Sequence, residues 1–127
     1  MFELLRKSIT DKIQLTDAEW SICQTYFAPK KLRKKQYFLQ EGDVCKHYSF
    51  VVEGCFKMFG VGKKGTEHTI QFGAENEWIA DIGSFHSEKP SKLFIEAMEP
   101  SVILQIHKPD LLFLYVNLPK FDRNFRV

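Results

Sequence analysis

The chain has 127 residues, 44% hydrophobic and 14% aromatic, enough for one compact domain with a single core and too few for two. A formal net charge of +2 lacks the concentrated basicity of a nucleic-acid module. The three cysteines, Cys23, Cys45 and Cys55, are odd in number and have no Cys-x-x-Cys spacing, which argues against a disulfide framework, a zinc knuckle or a cysteine-ligated cluster.

The N-terminal stretch MFELLRKSITDKIQL has neither the apolar core nor the small-residue cleavage site of a secretion signal. No run approaches the roughly 18 apolar residues that cross a membrane, so a cytoplasmic protein with reduced thiols and no membrane partner is expected. A short helix is expected over Phe2 to about Ser8. A second begins at Thr16-Asp17-Ala18-Glu19, where Thr16 can accept from the backbone at the helix start while Glu19 reaches back, a capping box. It should run to about Tyr26 or Phe27, because Pro29 biases the residue before it toward extended geometry.

After Pro29 the pattern changes to short extended runs separated by glycine-bearing turns, the spacing of a sandwich or roll. Strands are expected near Leu32 and Arg33, then over Tyr37–Gln40, Tyr48–Val52, Cys55–Val61, His68–Phe72, Lys92–Ala97 and Val102–Ile106. Gly42-Asp43, Glu53-Gly54, Lys63 to Gly65 and Glu99-Pro100 supply the reversals. In the basic run Lys30-Lys31-Leu32-Arg33-Lys34-Lys35, Leu32 turns inward and the charges decorate a solvated strand face. Trp78, Ile79, Ile82 and Phe85 read as core residues, and His86 to Ser91 as a solvated loop. Pro109 starts a helical segment, Asp110 to Tyr115, and Pro119 opens a further helix, Lys120–Val127. With no C-cap glycine or asparagine, that last helix looks cut in mid-element, as in a fragment of a longer protein. The chain thus divides into N-terminal helices over about residues 1–28, a β-roll over 30–107 and closing helices over 109–127.

Several chemistries lack their residues. His47, His68, His86 and His107 are scattered, with no His-x-His pair of the kind a cupin-like metalloenzyme needs. Cys45 and Cys55 flank one expected hairpin and could approach, but a cytoplasmic setting disfavours a lasting bond. No residue trio suggests a Ser-His-Asp or Cys-His nucleophile, and no phosphate-loop glycine pattern occurs, so no enzyme is expected.

The stretch FLQEGDVCKHYSFVVEGCFKMF, Phe38 to Phe59, resembles the front half of a cyclic-nucleotide-binding domain of the Crp/Fnr, or catabolite-activator, family. The Gly42-Asp43 turn, the apolar strand Tyr48–Val52, Gly54 and Lys57 carry the likeness. GKKGTEHTIQFGAENEWIADIGSF continues it through a hairpin and a strand, and IHKPDLLFLYVNLPKF resembles the roll-closing helix and the start of a dimer helix. The resemblance covers about residues 15–127. It implies a mainly β fold with flanking α-helices, a jelly-roll-like double-stranded β-helix. It also implies a sensor domain whose small effector, a cyclic nucleotide or another ligand, biases a homodimer. DNA would be read by a helix-turn-helix domain that this chain does not contain. Ligand in the roll would change its packing on the dimer helix. Tyr115, Leu118, Phe121 and Phe125 would couple roll and helix or the two subunits. Iron–sulfur sensing in this family needs a cysteine cluster that Cys23 alone does not supply.

The family's cassette holds a cyclic phosphate on backbone N–H groups at the start of a short helix, with an arginine fork from the next strand and a glutamate on the ribose. Carried onto this chain, the cassette falls on Ala80, Asp81, Ile82, Gly83 and Ser84, and the arginine position on Ser91 with Lys92 beside it. Asp81 is one methylene short of glutamate, and Ala80 puts a Cβ where backbone and ligand should touch. Neither Ser91 nor Lys92 has a guanidinium fork, and strand alternation aims Lys92 away if Ser91 faces in. A ligand-independent dimerisation or interaction scaffold is the alternative reading.

Overall fold

The computed structural model describes residues 1–127. Two helices, α1 (Phe2–Thr10) and α2 (Asp17–Thr25), precede the strands β1 (Phe27–Leu32), β2 (Tyr37–Leu39), β3 (His47–Glu53), β4 (Phe56–Val61), β5 (Glu67–Gly73) and β6 (Trp78–Ile79). The helix α3 (Ile82–Ser87) leads to β7 (Leu93–Ala97) and β8 (Ser101–His107), and α4 (Lys108–Asn117) and α5 (Pro119–Asn124) close the chain. All pairings are antiparallel, in two four-stranded sheets of order β1-β8-β3-β6 and β2-β7-β4-β5. This is the expected roll with flanking helices.

Local sequence explains much of it. The capping box forms: Glu19 N–H donates to Thr16 Oγ1 at 3.1 Å, and Thr16 N–H to Glu19 Oε1 at 2.9 Å. At the first turn of the roll Gly42 takes a φ of +97°, where a Cβ is strained, while Asp43 accepts from Gln40 N–H. Gly54 has a φ of +98°, and a Cβ there would run into the side chain of Ser101. Alternation along β7 sends Ile95 and Ala97 inward, while β8 is buried on both faces, with Ile103 on one and Leu104 and Ile106 on the other. One apolar cluster of 26 residues joins both sheets to Leu5, Ile9 and Trp20 of the N-terminal helices and Leu111 and Leu114 of α4.

Four expectations are corrected. The first strand begins at Phe27 rather than near Leu32 and runs through Pro29. It pairs only with β8, and an edge strand can turn a missing N–H to solvent. Lys30 and Lys31 are exposed on it and Leu32 is buried, as expected. The runs flanked by Cys45 and Cys55 do not form a hairpin: β3 and β4 lie in different sheets, the glycine turn crossing between them, and both thiols are free. Trp78 and Ile79 form a short strand against Phe50 and Ser49. The last helix ends at Asn124, because Phe125 leaves helical geometry to bury its ring.

The other sheet's edge is β5, exposed along its length up to Gly73. Contacts between distant parts of the sequence are prominent. The strand β1 takes its ladder from β8, and Lys120 Nζ donates to Gln14 O at 3.0 Å and Glu19 Oε1 at 2.8 Å, tying α5 to the start of α2.

Candidate ligand site

The β6 ladder delivers the chain to Ala80, which is buried, and to Asp81, whose extended backbone precedes α3. Asp81 is the N-cap: its Oδ1 accepts from Ser84 N–H at 3.2 Å. Its other oxygen, Oδ2, accepts from Ser91 Oγ at 2.6 Å, and Ser91 Oγ accepts in turn from Leu93 N–H at 3.0 Å. One carboxylate thus pins the start of α3 to the entry of β7. Ser84 Oγ donates to Lys89 O at 2.6 Å and accepts from Cys45 N–H at 2.9 Å. Backbone bonds from Gly42 N–H to Ser91 O and from Ser91 N–H to Asp43 O strap the loop after α3 onto the first turn of the roll, and Val44 bridges to Pro90.

Residues 80–84 and 91 therefore converge, but on one another. His86–Pro90 are exposed, as expected of a solvated stretch, but the loop is corrected at both ends: His86 and Ser87 belong to α3, and Ser91, 3% exposed, is interior. Lys92 points out to solvent, as strand alternation requires with Ser91 inside. Trp78 is half-buried and Ile79 and Phe85 are buried, whereas Ile82, expected in the core, is 41% exposed on the first turn of α3. Gly83 is exposed beside it. None of the five concavities of the molecule is lined by Ala80–Ser84, Ser91 or Lys92. No buried side-chain nitrogen or oxygen lacks a partner.

For a cyclic phosphate this arrangement is poor. The place of the arginine fork holds a serine already bonded to a carboxylate, and the carboxylate itself takes the N–H at the helix start that a phosphate would use.

The four residues expected to couple roll and helix lie in this chain's own core. Leu118, Phe121 and Phe125 are buried, and half-buried Tyr115 accepts from Val127 N–H at 3.3 Å. Burial pushes the Tyr115 phenol up, as it does that of Tyr48. Phe125 packs edge-on against Trp78 at 5.1 Å, Tyr48 stacks flat on the same indole at 4.6 Å, Phe27 meets it at 6.0 Å, and Trp78 Nε1–H donates to Ser8 Oγ at 3.1 Å. Trp78 thus joins β3, β1, α1 and the residue that follows α5. Its tandem placement with the cassette is visible in the sequence, but its partners, Phe50 among them at 5.1 Å, come from distant segments. Beyond it, Lys108 Nζ donates to His86 O and Glu88 Oε1, each at 3.1 Å, linking α3 to α4.

Of the histidines, His47 and His107 are cross-strand partners with ring centroids 5.1 Å apart. The His47 imidazole is held below its ordinary pKa by burial first and then by the positive charges of His107, Lys30 and Lys46. No group of three His, Cys, Asp or Glu side chains could hold a metal ion. Burial pushes the Cys23 thiol up to about 12, which makes it a packing group and a poor nucleophile. Cys45 is pushed up in the same way.

The cyclic nucleotide-binding domain family matches residues 29–117. No curated protein matches the chain. Among solved structures, the cyclic nucleotide-binding domain from Methylobacillus flagellatus KT superposes with a TM-score of 0.79 at 19% identity, over 94% of this chain and 68% of that one. The catabolite activator protein of Thermus thermophilus gives 0.75 at 22% identity over 87% of this chain, which spans about half of that protein, 51%. The sensor domain of the transcriptional regulator DNR from Pseudomonas aeruginosa gives 0.72 at 17% identity, over 96% of this chain and 89% of that one. With the family matched across the whole roll and the fold shared with these domains, the chain belongs to the cyclic nucleotide-binding domain family.

Proposed function

We propose that this domain is the sensor part of a bacterial Crp/Fnr-type transcription regulator whose cassette has lost the grip on cyclic nucleotide. The reading makes it a binding domain and not an enzyme, acting in a homodimer on DNA through a domain outside this chain. Its support is the family match and the likeness to sensor and activator domains. The observation that carries the loss of cyclic nucleotide is the 2.6 Å hydrogen bond from Ser91 to Asp81, which closes the cassette across the arginine's place. One missing charge-assisted bond costs about 1.5–3 kcal/mol, or roughly one to two decades of affinity, before any cost of opening the closed pair.

The test is a thermal-unfolding scan with cyclic AMP and cyclic GMP. A ligand at about 100 times its Kd adds roughly 2.7 kcal/mol, near 10 °C for a domain of this size. No shift is expected with either nucleotide, and a shift of that size with either one overturns the reading. The satisfied network also favours a second function, a dimerisation or interaction scaffold that needs no ligand. Under it, promoter occupancy by the full regulator follows protein abundance alone and is indifferent to cell metabolites. Under the sensor reading, occupancy changes with an effector at constant protein level.

A further inference from the structure

A cleft of about 380 Å³ opens between the Val44–Lys46 segment, the end of α3 and the first turn of α4. Its volume lies within the range of small-molecule sites, and it adjoins the closed cassette without being lined by Ala80–Ser84, Ser91 or Lys92. Val44, Pro109 and Leu112 make its apolar wall. Leu112 is 48% exposed there, which leaves a large aliphatic side chain in water beside a concavity that could cover it.

The walls are fixed by backbone. Lys108 N–H donates to Lys46 O at 3.0 Å, and the His47–His107 pairing holds the two strands beneath in register. The rim is unequal in charge. Lys108 is tied to Glu88 at 3.1 Å, so those two neutralise each other. Lys46, exposed in the lining, forms no ion pair, and His107 lines the same cleft. The depressed pKa of neighbouring His47, to which Lys30, Lys46 and His107 all contribute after burial and only Asp110 works in opposition, reports the same positive field. That field disfavours a metal cation and favours an anion, and one free lysine beside an aliphatic wall suits a single negative charge on an apolar body.

We propose that this cleft is a binding site for a small amphipathic carboxylate, its hydrocarbon on Val44, Pro109 and Leu112 and its carboxylate on Lys46 and His107. The inference stands apart from the regulator reading, since it needs no DNA, no dimer and no cassette ligand.

Octanoate is the probe, followed by amide shifts of isotopically labelled protein in NMR titrations. Saturable shifts are expected at residues 44–46 and 107–112. Because a charge-assisted contact is worth about 1.5–3 kcal/mol, Lys46→Glu should weaken binding by about tenfold or more, and 1-octanol should bind more weakly than octanoate by a similar factor. Leu112→Asp should abolish the shifts. Both substitutions are at exposed side chains, and an unchanged spectrum elsewhere confirms the fold. Octanoate shifts that never saturate, that centre on residues 80–93, or that survive Lys46→Glu unchanged overturn the proposal, as does equal affinity for 1-octanol.

Discussion

Trp78 and Asp81 are near neighbours in sequence and hold the molecule in opposite ways. Trp78 works by area and shape, gathering Tyr48, Phe27 and Phe125 around one indole and spending its only polar atom on Ser8. Asp81 works by direction, each oxygen committed to one donor, on Ser84 and on Ser91. The apolar cluster can exchange one ring for another and still exclude water. The polar one has no such tolerance, because an unmatched donor in the interior costs more than the bond it made. Function in a ligand-binding fold changes more readily at the second kind of place: a single side chain there decides whether the polar groups face a ligand or each other.

Changes at four positions break or sharpen this contrast. The largest effect is expected for Trp78→Ala, which removes the shared partner of four elements and should cost about 3 kcal/mol, read as a lower urea midpoint. Trp78→Phe should recover much of that loss. Asp81→Ala leaves Ser84 N–H and Ser91 Oγ without their acceptor and should cost about 2 kcal/mol. Its signature in hydrogen exchange is faster opening of α3 and the loop to Ser91 while β3 and β8 stay protected, and uniform acceleration would show that Asp81 supports the whole core instead. Asp81→Asn, which keeps an acceptor oxygen, should lose less. At the cap of α2, Thr16→Ala should cost about 1 kcal/mol, measurable as a reduced melting temperature.

The smallest effect is with pH and concerns His47. Its folded pKa lies below the ordinary 6.5, so the unfolded chain takes up the proton first on acidification. Stability from this residue is complete above 6.5 and falls as pH drops from there toward the folded value. His47→Gln should flatten the fall of the stability curve that begins below pH 6.5, and an unchanged slope would assign that decline to other groups.

The sequence was most legible where one residue type has one local use. The Thr16–Glu19 box, the Gly42 and Gly54 turns and the alternation of β7 follow from chemistry within a few residues. Pro29 misled because its cost depends on whether the strand has one neighbour or two, which only the sheet order decides. The supposed hairpin between Cys45 and Cys55 failed for a similar reason: a glycine turn specifies a reversal but not whether the chain returns to the same sheet. The replacement of the cassette arginine by Ser91 was visible, as was the shortened Asp81. Their mutual bond was not, since a serine facing an aspartate across ten positions signals nothing until the loop between them is placed. Ile82 shows the limit of hydrophobicity as a guide: at the first position of a six-residue helix it is 41% exposed, although Phe85, three residues on, is buried.

The pairing of β1 with β8 and the grip of Lys120 on Gln14 and Glu19 bear on how the chain is made. The strand that leaves the ribosome first waits for the one that leaves near the end, and α2 waits for α5. Local pieces such as the β4–β5 hairpin can form early, but the first sheet cannot close until β8 has emerged. Folding of this domain is therefore expected to be late and slow for its size, with the open edge of β8 the surface a chaperone would meet while β1 is still unpaired.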